Sequence, residues 1–91
     1  AIDIIKTLDQ YGMKTFITDP HVDEVEAEAL YKVRVMRNPP SNKSFKVVVV
    51  AVAHKEFINW SLEKWSKILE NESIIFDVKG IVPRSLKPIR L

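Results

Sequence analysis

The chain has 91 residues, 46% hydrophobic and 29% charged, the balance of one globular domain rather than of a disordered segment. Its 14 Lys plus Arg against 12 Asp plus Glu leave a formal charge of +2, too little to argue for nucleic acid as a partner. Cysteine is absent, which excludes a disulfide framework, a thiolate zinc site and a cysteine nucleophile within these residues.

Two histidines, His21 and His54, are too few for a conventional His-rich metal cluster, and no metal is expected. The longest apolar run, Val47 to Ala53, is seven residues, against about 20 for a helix that spans a bilayer. Asp3 and Asp9 interrupt the N-terminus and no basic leader precedes an apolar stretch, so no signal peptide is expected. The expectation is a soluble cytoplasmic domain with neither a membrane nor a nucleic-acid partner.

In chain order, AIDIIKTLDQY places Ile2, Ile5, Leu8 and Tyr11 at helical spacing, and Gly12 follows as a left-handed cap. No capping residue precedes Ala1, which suggests a chain cut at the edge of an element. MKTFIT reads as a short strand stopped by Asp19-Pro20. Asp23 to Leu30 reads as two turns of acidic helix, and Tyr31 to Met36 as a short strand. RNPPSNKS is a loop, because two prolines with flanking Asn and Ser sustain neither regular structure.

KVVVVAVA is the strongest signal. A Val-rich run without alternation predicts a strand covered on both faces, as in parallel sheets. His54 to Trp60 follows as an exit loop or a turn of helix. Ser61 caps a helix, SLEKWSKILEN, with Leu62, Trp65, Ile68 and Leu69 on one face. Asn71 to Ser73 break it, IIFDV is a second buried strand, and the tail from Ile81 to Leu91 is irregular. The alternation predicts an α/β class, a three-layer Rossmann-like sandwich around a mainly parallel sheet.

In such sheets ligands bind outside the carboxyl ends of the strands. Those ends carry Asp19-Pro20-His21, His54-Lys55-Glu56 and Asp77-Val78-Lys79-Gly80, and all three clusters are expected along one edge. Polar residues at strand ends are also what ordinary solvated turns look like. His54 reads either as a hydrogen-bond partner of a ligand or as a cap of the turn continued by Glu56 and Phe57. Lys79 is more suggestive, since a cation beside a glycine at a strand end can approach a phosphate closely. Trp60 and Trp65 read as packing residues rather than base-stacking platforms.

Charge is uneven. Tyr31 to Lys55 holds six basic residues and no acid, Lys79 to Arg90 holds four more with none, and Asp19 to Glu28 holds five acids. A basic edge suits an anionic ligand, and equally a partner domain. Walker, G-x-G-x-x-G, G-x-S-x-G and H-E-x-x-H motifs are absent. The residues by themselves support an anion-binding α/β module, or alternatively a free-standing α/β protein-interaction module with no catalytic role.

YGMKTFITDPHVD, VVVVAVAHKEF and IIFDVKG, in that order, resemble the C-terminal domain of the UDP-glucose/GDP-mannose dehydrogenase family. AVAHKEF is most similar to the branch that oxidises UDP-N-acetylhexosamines to uronic acids for surface polysaccharides. The resemblance implies that residues 1–91 are a UDP-sugar-binding domain, truncated at its N-terminus and lacking its first strand. It implies NAD bound by an absent N-terminal domain, a catalytic cysteine there, a central dimerising region, and a homodimer in the full protein. Oxidation would run in two NAD-linked steps from the sugar C6 alcohol to the carboxylate, with no catalytic residue in this chain.

Asp77-Val78-Lys79 matches the family's Asp-x-Lys/Arg motif, whose basic residue reaches the UDP-sugar, so Lys79 is the principal candidate. Asp77, His54 and Arg84 are the further candidates for the UDP site. Two departures stand out. The family's Phe/Tyr-Lys strand ahead of the first helix is absent, and Tyr31 to Ser44 carries a proline loop where relatives place a helix. Loss of a central strand would leave its neighbours unpaired, so association through exposed sheet edges is expected.

Overall fold

A computed structural model describes residues 2–31 and 34–90, which divide between Pro40 and Ser41 into two units. The class is the expected one, α/β with parallel sheets. Each unit carries its own parallel ladder.

In the first unit, α1 (Ile2–Gln10) ends where Gly12 takes a φ of +75°. The Gly12 amide donates to the Asp9 carbonyl and the Met13 amide to the Leu8 carbonyl, so the last carbonyls of the helix are satisfied. Ile5 and Leu8 are half-buried, whereas Tyr11 lies past the helix end and is exposed rather than part of the buried stripe. β1 (Ile17–Thr18) is shorter than MKTFIT. α2 (Glu24–Tyr31) starts from Asp23, whose carboxylate accepts the Glu26 amide at 3.0 Å. β2 (Val35–Met36) pairs in parallel with β1, Ile17 against Val35. Tyr31 belongs to the helix rather than to the expected strand, and Lys32 and Val33 of that strand lie outside the described residues.

The second unit is a parallel sheet in the order β3-β4-β5. β3 (Phe45–Val50) carries the valine run, followed by α3 (Lys55–Ile58) and α4 (Leu62–Lys67). The Ser61 hydroxyl accepts the Lys64 amide at 3.1 Å, the cap expected of it. α4 is shorter than SLEKWSKILEN, and β4 (Leu69–Asp77) begins within that segment and continues through Asn71 to Ser73, which were expected to break the helix. A bulge accommodates them: the register jumps from Phe45–Leu69 to Val47–Ile74, and Glu72 sits at a φ of +58°. The tail is not irregular throughout. A 3-10 turn at Arg84–Leu86 leads into β5 (Ile89–Arg90), which pairs in parallel with the end of β4.

One face of this sheet is covered. Val50, Trp65, Ile75 and Val82 form the core, flanked by Val48, Phe57, Trp60 and Leu69. Trp65 is 2% exposed, and burying such a side chain contributes about 3 kcal/mol by itself. On the other face the second unit carries exposed apolar side chains. Val47, Val49 and Ile74 are 41%, 51% and 45% exposed. β3 is also the end strand of its ladder, so an open edge adjoins an apolar face. The chain should therefore associate reversibly as concentration rises, and Val49→Lys should weaken that association by sedimentation velocity. A concentration-independent monomer would overturn this.

Candidate functional site

The carboxyl ends of β3 and β4 lie side by side, with Val50 paired to Asp77 and the Val78 amide donating to the Val50 carbonyl at 3.1 Å. His54 and the Asp77-Val78-Lys79-Gly80 loop therefore leave one edge of one sheet. Asp19-Pro20-His21 follows β1, which belongs to the other ladder. Two of the three sequence clusters thus share an edge within one unit.

Asp77 is the last residue of β4 and is wholly buried. Its Oδ1 accepts the amides of Gly80 at 2.9 Å and Ile81 at 3.1 Å, and its Oδ2 accepts the Val82 amide at 2.9 Å. Arg90 Nε stands 3.4 Å from Oδ2. Three successive N–H groups gathered on one anion form a nest, a geometry that often holds phosphate; here the anion is the chain's own side chain. Asp77 consequently shapes the loop from within, and the Gly80 amide is already committed. Gly80 holds a φ of +72°, and a Cβ there would meet nothing within 4 Å, so backbone conformation rather than space calls for glycine.

Lys79 lies in the held loop and is exposed. Arg84 opens the 3-10 turn after Pro83, also exposed, and the loop and turn together carry both cations. His54 is half-buried at the N-cap position of α3, and its side chain makes no cap hydrogen bond. Its ring meets the Phe57 ring edge-on at 5.6 Å. The contact continues from Phe57 to Trp60 at 5.2 Å and from Trp60 to Trp65 at 4.7 Å. This aromatic row ties the exit of β3 to the core. Trp65 is too deeply buried to stack on a base, and Lys64 Nζ lies 4.7 Å from the centre of the Trp60 ring.

Arg90 escaped the sequence reading because it sits in a tail read as irregular. The alternation Ile89-Arg90-Leu91 after Pro88 is a faint strand signal, too short to stand out. Among the described residues, no group of three or more His, Asp or Glu is placed to hold a metal, and no helix is long and apolar enough to cross a membrane.

Comparison with known proteins matches residues 1–84 to the model of the UDP-glucose/GDP-mannose dehydrogenase family, UDP binding domain. A UDP-N-acetyl-D-glucosamine 6-dehydrogenase of Pseudomonas aeruginosa is 28% identical over 91 residues, covering 100% of this chain and 21% of that protein. No solved structure matches. Replacing the central carboxylate tests its structural weight. Asp77→Ala should strand three amides and the Arg90 guanidinium and cost about 3–5 kcal/mol in urea unfolding. A loss within about 0.5 kcal/mol, the range of an ordinary surface substitution, would contradict it.

Proposed function

Because this chain belongs to the UDP-glucose/GDP-mannose dehydrogenase family, in its UDP binding domain, we propose that it binds the UDP part of a UDP-sugar at the carboxyl edge of β3 and β4. The observation that carries this reading is the exposed Lys79 on a loop anchored at Asp77. An ammonium there can make charge-assisted contacts to a diphosphate, with Arg84 a second cation along the same segment. His54, at the neighbouring strand exit, would supply a polar contact. Asp77 takes part through the loop, since a fully buried carboxylate with both oxygens engaged does not meet ligand.

In this reading the whole protein is an NAD-dependent UDP-sugar 6-dehydrogenase that oxidises a UDP-N-acetylhexosamine to its uronic acid for surface polysaccharide. The name of the relative supports the 6-dehydrogenase part. This chain spans 21% of that relative, so residues 1–91 are one binding domain of the proposed enzyme. Its partners are the N-terminal and central domains of the same protein, in a cytoplasmic homodimer. The residues present do not fit NAD: Gly12 and Gly80 are the two glycines, and neither lies in a glycine-rich strand-to-helix turn. No step of the oxidation is assigned to them.

The uncovered Val47, Val49 and Ile74 face favours a second reading, an α/β module that binds a protein partner and no nucleotide. Titration with UDP, followed by backbone amide shifts, separates the two. Shifts should cluster at residues 54–57 and 77–84, and Lys79→Ala should weaken binding about fivefold to tenfold. Silence at millimolar UDP, or shifts elsewhere that Lys79→Ala leaves unchanged, would favour the interaction module.

A further inference from the structure

We infer that Arg90 is a positioning residue for the UDP site, clamping the 78–82 loop through Asp77 and Val82 so that Lys79 is presented at the sheet edge. The inference rests on the UDP-binding reading above. Arg90 lies beyond residues 1–84, the span matched to the family.

The geometry joins three pieces of chain. β5 pairs with β4 in a register that sets Arg90 opposite Asp77. From there Nε stands 3.4 Å from Asp77 Oδ2, while Nη2 donates to the Val82 carbonyl at 2.8 Å. Val82 is gripped on both sides, because its amide donates to that same Asp77 oxygen. It is also 1% exposed and part of the core, so the far end of the loop has an apolar anchor. The near end is fixed by the Val78 amide on the Val50 carbonyl. Between two fixed ends, Lys79 has few ways to sit.

A planar guanidinium suits this task. Nε and Nη2 diverge toward two acceptors at once, whereas an ammonium is a point charge that can follow one of them at a time. Without Arg90, Asp77 keeps three amide donors but loses its counter-charge in a fully buried position. The turn then gains its freedom where Lys79 is carried, and the cation meets the diphosphate from a broader set of conformations. Arg90 itself need not touch the ligand.

UDP titrations of the chain and of Arg90→Gln, Arg90→Lys, Lys79→Ala and the Arg90→Gln/Lys79→Ala double variant test this, beside amide exchange and thermal melts. Arg90→Gln should weaken UDP binding per folded molecule by roughly threefold to tenfold, a coupling expected of residues in one network. It should speed exchange at Gly80, Ile81 and Val82, and Arg90→Lys should recover part of both losses. In the Lys79→Ala background, Arg90→Gln should cost nothing more, because there is no cation left to place. A lower melting temperature with unchanged UDP affinity would overturn the inference and leave the UDP reading standing. So would losses that simply add in the double variant. Absence of UDP binding by the unmodified chain would overturn both.

Discussion

A carboxylate taken wholly out of water costs several kcal/mol unless charge and hydrogen bonds replace its hydration, and Asp77 is such a group. Its replacement shell is local: three successive amides of the following turn and one guanidinium from the neighbouring strand. The exchange is reciprocal. Those amides belong to a turn that cannot pair with a strand, and buried without a partner each would carry its own desolvation cost. The turn satisfies the acid and the acid satisfies the turn. Positive φ at Gly80 helps bring consecutive N–H groups round to one point, and for that reason a glycine stands there.

Much of the second unit hangs from that arrangement. β5 is only two residues long, and two residues of ladder hold little by themselves. Arg90 adds a charged contact and a carbonyl contact to the ladder, so the strand is fastened by its side chain as well as by its backbone. Val82, gripped at both its amide and its carbonyl, then lies in the same apolar cluster as Trp65, Val50 and Ile75. Polar fixing and apolar burial meet at this residue. The aromatic row from His54 to Trp65 does the corresponding work at the exit of β3, with rings rather than with charge.

The elements legible from the sequence are those whose start or stop has a chemical cause. Gly12 and Ser61 cap helices as their types demand, and Asp77-Val78-Lys79-Gly80 stood out as a strand end bearing charge. The misreadings share a different cause. Asn71, Glu72 and Ser73 carry weak β propensity, yet a bulge absorbs them because the pairing on either side persists. Asp77 reads from sequence as a candidate ligand contact, but its partners lie three to five residues onward and in β5, where no local pattern announces them.

The separation of fixed and displayed groups is what the proposed UDP-binding role would draw on in a chain without cysteine and with only two glycines. Its contribution in that role is position. A lysine on a loose loop must give up chain and side-chain freedom when it binds, which subtracts from every contact it makes. A lysine on a turn already locked by a buried carboxylate has given up its backbone share during folding. The residues that set the affinity of such an edge therefore include some that never touch ligand. Asp77 and Arg90 are placed to be two of them, one as the anion around which the turn closes, the other as the cation that lets that anion stay buried.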